Sequence, residues 1–270
     1  MNDPKEFIER ASKYLHQQRE MYGHFSVKLN EKTKEGTSKA GEPEISYEDS
    51  QAEKSEVEAP KQETIQEVVQ QPEKELTQSQ KISRCTTLDE LRALCEEANE
   101  LKTDLEDTNL VFGVGNPHAN LMIIGEAPGY NEDQQGEPFV GEAGQLLDKI
   151  MKAIDFKRED IYIANILKHR PPDNRNPTAE ECKKSLPYLL RQIEIIDPKL
   201  ILSVGKTSGN TLLDKDTTLG NLRSTFHEFH GRELMVTYHP AALLYNHKYK
   251  RPTWEDVQKL KKRYDELVEA

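Results

Sequence analysis

Leu121-Met-Ile-Ile124, followed at once by Gly125-Glu-Ala-Pro-Gly129, decides the fold. A four-residue apolar run is too short for a buried helix and long enough for a strand covered on both faces. The glycines and proline behind it end the strand and open a loop. The same grammar recurs three times: Ile161-Tyr-Ile-Ala164 before Asn165, Leu200-Ile-Leu-Ser-Val204 before Gly205, and Leu234-Met-Val-Thr-Tyr238 before His239. Helical patterns lie between and after these runs, over 143–154, 179–196, 207–213 and 254–268. Thr87-x-x-Glu90 and Thr178-x-x-Glu181 are capping boxes, and the first opens a helix over 87–99. Short apolar strands alternating with helices predict a three-layer α/β/α fold with a mostly parallel central sheet. Phe226–Phe229 and Leu234–Tyr238 flank Gly231 and predict a hairpin, hence one antiparallel edge.

Outward from this domain, set at 81–270, the composition changes. Residues 31–80 carry thirteen Asp/Glu against six Lys/Arg, one Tyr, and no Phe or Trp. Such a stretch cannot bury enough apolar surface to offset its conformational entropy, so it is expected to be a disordered acidic linker. Within residues 1–30, Phe7, Ile8, Ala11, Tyr14 and Leu15 recur at helical spacing behind Asp3-Pro4. They predict an amphipathic helix that either packs back or docks a protein partner. The whole chain of 270 residues has a net charge of −11 and a mean hydropathy of −0.82. No apolar run is long enough to span a membrane, and the N-terminus has no secretory pattern. Three cysteines, an odd number, point to a reducing cytoplasm rather than a disulfide framework.

In open α/β sheets ligands bind beyond the carboxyl ends of the strands. Four strand ends therefore bring Glu126, Asn165, Gly205-Lys206 and His239 to one rim. Gly125 and Gly129 suit a loop whose backbone approaches a ligand closely. Phe139, in a second glycine-rich stretch, is either a core plug or a stacking surface for a planar ligand. The Asn165 amide offers a donor and an acceptor in one plane, which fits a pyrimidine edge as well as a helix cap. Lys168-His-Arg170 and Arg175 sit in a proline-rich loop and, with Lys206, read as a basic groove. Val204-Gly-Lys-Thr207 is not a P-loop, because Leu200 stands where the first glycine belongs. Gly205 and Lys206 are still able to touch one phosphate. After His239, Leu243 and Leu244 form a small apolar wedge of the kind inserted into a duplex.

Taken together, these motifs resemble the family 4 uracil-DNA glycosylases of bacteria and archaea, from about Val111 to Leu267. The resemblance rests on the glycine-rich run 125–147, on 165–177, on Pro187–Lys199 and on Tyr238–Leu244. It implies an enzyme that flips deoxyuridine out of DNA, hydrolyses its N-glycosidic bond and so begins base excision repair. It implies stacking by Phe139, recognition of the uracil edge by Asn165, and charge stabilisation at O2 by His239. Gly125, Glu126 and Ala127 would line the pocket, with Glu126 positioning water, and Leu243 and Leu244 would probe the duplex. Glu132 and Asp133 are expected to brace the loop. Uracil-containing DNA is the expected partner, and the chain is expected to act as a monomer.

The sequence departs from that family at the metal. Four cysteines usually hold a 4Fe–4S cluster; here those positions read Ala98, Leu101, His169 and Ser185. A cluster-free protein without a cofactor is expected. The alternative is a rearranged zinc or iron–sulfur site built from Cys85, Cys95, Cys182 and His169. Tyr245 also stands where the family commonly has Arg. Two other functions compete: a non-catalytic DNA-binding or replication-associated module, and a glycosylase for another deaminated base.

Overall fold

In the computed structural model, residues 76–269 are described. The helix expected within 1–30 and the linker up to 75 lie outside them. The compact unit that begins at Leu76 holds a helix, α1, from Gln78 to Arg84, upstream of the four-strand pattern. Thr77 caps it reciprocally with Gln80. The second helix, α2 (Leu88–Glu97), starts on the Thr87–Glu90 box.

Four parallel strands form the centre of a six-stranded sheet. They are β2 (Leu121–Gly125), β3 (Tyr162–Asn165), β4 (Leu200–Val204) and β6 (Arg232–Thr237). The order is β1-β3-β2-β4-β6-β5. The expected hairpin is present: β5 (Phe226–Phe229) pairs antiparallel with β6. The opposite edge carries a strand the pattern did not announce, β1 (Val114–Gly115), antiparallel to β3. Two residues are too few to show alternation. The third strand is shifted by one residue and includes Asn165 itself.

Side chains alternate across the strands and divide the core into layers. Met122, Ile124, Ala164, Ile201, Leu234 and Val236 pack with Leu189 and Ile193 of α5 (Ala179–Ile196), Leu212 of α6 (Lys206–Leu213) and Leu222 of α7 (Leu219–Leu222). On the other face, Leu121, Ile123, Ile163, Leu202 and Met235 pack with Leu147 and Met151 of α4 (Glu142–Lys152). Val257 and Leu260 of α9 (Lys250–Val268) complete that layer. Short α3 (Tyr130–Gln135) and α8 (Pro240–Tyr245) lie in the two loops that carry the candidate site. The architecture is thus three-layer α/β/α, as expected. No helix among the described residues is long and apolar enough to cross a membrane.

Candidate active site

Gly125 ends β2 and is paired in register with Asn165, which ends β3. The alternation that puts Ile123 and Ile163 on the α4 face puts these two there as well, beside Phe139. A Cβ on Gly125 would lie 2.4 Å from Asn165 Oδ1 and 2.6 Å from the Phe139 ring. Glycine is therefore required for the amide and the ring to meet. Phe139 adopts φ +55°, a region in which a bulky residue is strained. Its ring centroid is 5.5 Å from that of His239. Glu132 fixes this loop by accepting hydrogen bonds from Gly129, Val140 and Gly141 N–H. Asp133 accepts one from Asn109 N–H at 2.8 Å. Both acids brace the loop, as read from the sequence.

The side chains of Glu126, Phe139, Asn165 and His239 line one cavity of about 560 Å³, with Ala127 beside them. Asn165 is buried, and its Oδ1 has no hydrogen-bond partner. An unpaired buried acceptor costs free energy, which a ligand donor recovers. His239 Nδ1 accepts from Ala241 N–H at 3.2 Å. The proton of the neutral ring is then on Nε2, which serves as a donor. Burial lowers the pKa of His239 to about 4, against a smaller opposing effect of Glu132, so the ring is neutral at pH 7. Burial also raises the pKa of Glu126, and a hydrogen bond from the Thr207 hydroxyl offsets part of that rise. Thr207 was not singled out beforehand, since only the fold brings the start of α6 to β2.

Of the residues expected at the pocket, Gly125, Gly205, Lys206 and Leu243 do not line the cavity. Leu243 is buried, because the helical turn of α8 points it inward, and only Leu244 reaches the cavity. Gly205 backs onto His239, 3.4 Å from its Cβ if a Cβ were added, and neither Gly205 nor Lys206 lines the cavity. The basic groove is also corrected. Lys168 is fully buried and donates to Phe112 O, Asn165 O and Gln192 Oε1 at 3.1, 3.1 and 2.8 Å. Burial lowers its pKa to about 8. It secures the Asn165 strand end and does not face solvent. The Arg175 fork is closed on Glu181, with two N···O distances of 2.8 Å.

The cluster positions do not fit a four-thiolate group. Ala98 and Leu101 are packed in an apolar layer with Tyr188. Ser185 Oγ donates to Ile166 O at 2.7 Å, and His169 Nδ1 faces Thr108 Oγ1 at 3.0 Å. The rearranged set is not assembled either. Among the described residues, no group of three or more His, Cys, Asp and Glu is placed to hold a metal ion. Cys85 Sγ donates to Lys81 O at 3.4 Å, whereas Cys182 is hydrogen-bonded to Thr211. Burial raises the pKa of Cys95 to about 12, which keeps it a thiol.

An aromatic wall, an unpaired amide oxygen and a neutral imidazole donor meet in one cavity at parallel strand ends, a donor and acceptor set chemically suited to a planar, polar-edged ring. Residues 112–261 match the family described as the uracil DNA glycosylase superfamily. The chain is 43% identical over 169 residues to the type-4 uracil-DNA glycosylase of Archaeoglobus fulgidus, covering 59% of this chain and 85% of that protein. It is 44% identical over 162 residues to that of Saccharolobus solfataricus, covering 57% and 75%. For that of Sulfurisphaera tokodaii the figures are 42% over 163 residues, 57% and 74%. The chain belongs to the uracil DNA glycosylase superfamily, on its type-4 branch.

Proposed function

We propose that this chain is a uracil-DNA glycosylase that hydrolyses the N-glycosidic bond of a flipped deoxyuridine. The observation that carries it is the buried, unpartnered Asn165 Oδ1 in the cavity, which matches the N3–H of uracil and not the bare N3 of cytosine. Phe139 supplies the stacking face. As the C1′–N1 bond breaks, its electron pair moves into the base, and His239 Nε2–H donates to the charge growing on O2. Glu126 orients water toward C1′ and accepts its proton; a raised pKa suits that basic role near neutrality. The bond pair leaves with the uracil anion, and the water oxygen remains on the sugar at an abasic site.

The proposal includes action in the cytoplasm as a monomer, without a metal cluster, with residues 1–30 as the place for a protein partner. Uracil-containing oligonucleotides, single- and double-stranded, are incubated with the protein and then treated with alkali. Strand scission is expected, and hypoxanthine oligonucleotides are expected to remain intact. Asn165→Ala and His239→Ala should each lower single-turnover cleavage about 10²-fold or more with folding retained. No scission by the wild type would favour a non-catalytic DNA-binding module.

A further inference from the structure

Six large apolar or aromatic side chains are exposed among the described residues: Tyr130, Phe226, Leu244, Tyr245, Trp254 and Val268. Three of them, Tyr130, Leu244 and Tyr245, line the same cavity as Asn165 and His239. Local structure turns each of them outward. Tyr130 is the first residue of α3, directly after the Gly129 cap, and is 56% exposed. The α8 helix buries Pro240 and Leu243, which leaves Leu244 38% and Tyr245 89% exposed. Apolar surface gathered at a pocket mouth marks a place where something docks.

The lining itself carries Glu126, Glu132 and Glu142, and one cation stands behind its outer aromatic ring. The Arg170 guanidinium lies over the Tyr130 ring, 5.1 Å from its centroid. Its Nε donates to Asn174 Oδ1 at 2.7 Å. Asp173 and Asn174 hold that turn with φ +52° and +54°. Unlike Arg175, Arg170 has no carboxylate partner within the described residues, so its charge is not neutralised there. A cation behind one aromatic ring, with a second ring nearby, suits bases that alternate with phosphates.

We propose that Tyr130, backed by Arg170, and Tyr245 form a stacking platform for the bases that flank the flipped nucleotide, which directs the enzyme to single-stranded DNA. The proposal rests on the glycosylase reading for the identity of the pocket's ligand. In a duplex the flanking bases are already stacked and paired. In a single strand their π-faces are free, and each is able to take an exposed tyrosine as its neighbour.

Both tyrosines are exposed, so Tyr130→Ala and Tyr245→Ala should fold with unchanged melting temperature. The probe is an oligonucleotide with a tetrahydrofuran abasic analogue, single-stranded or annealed, titrated by fluorescence anisotropy. Each substitution is expected to weaken single-strand binding about 10-fold, with duplex binding moving little. Tyr→Trp at either position should restore it. On cleavable uracil strands the loss should fall on KM rather than kcat. Unchanged single-strand affinity, or equal losses on single strand and duplex, would overturn the platform. If the wild type cleaves nothing but the alanine variants still lose single-strand affinity, the platform stands and the glycosylase reading fails.

Discussion

Gly125 has no side chain because Asn165 and Phe139 already occupy the space one would need. That requirement was only half legible. The sequence placed Gly125 and Asn165 at the ends of two strands, but the register that sets them side by side is a tertiary fact. The imidazole of His239 is similar: its place at a strand end could be read, its tautomer could not, because that depends on the Ala241 N–H. Its pKa carries a prediction. An unfolded histidine takes up a proton near pH 6.5, whereas His239 resists until about 4. Between those values the unfolded chain binds more protons, so stability rises with pH and is lost as pH falls from 6.5 toward 4. The ring is partly open to the cavity, so the loss is on the order of 2 kcal/mol. Urea unfolding at pH 7 and at pH 4.5 should show His239→Gln losing less stability than the wild type by about that amount. An equal loss in both proteins would mean the ring titrates normally.

Elements are held where the chemistry needs them by a polar network that sequence patterning does not reveal. Asp256, fully buried in α9, accepts from Thr237 Oγ1 at 2.7 Å, from Arg223 at 2.9 and 3.1 Å, and from Ser224 Oγ at 2.9 Å. It fastens α9 to the end of β6, two residues before His239. Tyr238 is clamped between Tyr249, stacked at 4.3 Å, and the Arg223 guanidinium. An acid inside a helix reads as a solvated face, and only the packing reveals the partners. The same blindness produced the misreading of Lys168, whose motif looked basic and exposed. By contrast, the Thr178–Glu181 cap and the bounds of α5 were legible, because capping and 3.6-residue periodicity are local. Asp256→Ala should cost about 3 kcal/mol in chemical denaturation, since Thr237, Ser224 and the mostly buried Arg223 lose their shared acceptor. Replacing Asp256 and Arg223 together by apolar residues of similar volume should recover much of that loss. A single-variant cost below about 1 kcal/mol would show that the network is not what secures β6.

Over the whole molecule, the layers follow from strand alternation and were readable. What ties the N-terminal helices to them was not. Tyr188 of α5 donates to Glu100 and accepts from Gln78 of α1. Arg191 Nε donates to Cys85 O at 2.7 Å, just after that helix. Ala98, Leu101 and Tyr188 share one apolar layer with Ile82 and Leu91. Apolar packing thus occupies Ala98 and Leu101, two of the four positions at which the family resemblance would place thiolates. Purified protein is therefore expected to carry no stoichiometric iron and no visible cluster absorbance; one cluster per chain would refute this. The α1 helix was missed because Ile82 is its one buried residue, too little for periodicity, although Thr77-x-x-Gln80 was there to be read. This bears on where the domain can be cut. A chain starting at Leu76 keeps α1 whole, with its cap and the Gln78–Tyr188 bond. A chain starting at Lys81 loses the cap, half of the helix and that bond, and leaves Tyr188 with one partner fewer. A lost cap and one lost hydrogen bond together amount to about 1–3 kcal/mol. For a domain of this size that is a fall of roughly 3–10 °C in melting temperature. The two truncations should differ by that much in a thermal melt, and coincident melts would place the true boundary at 81.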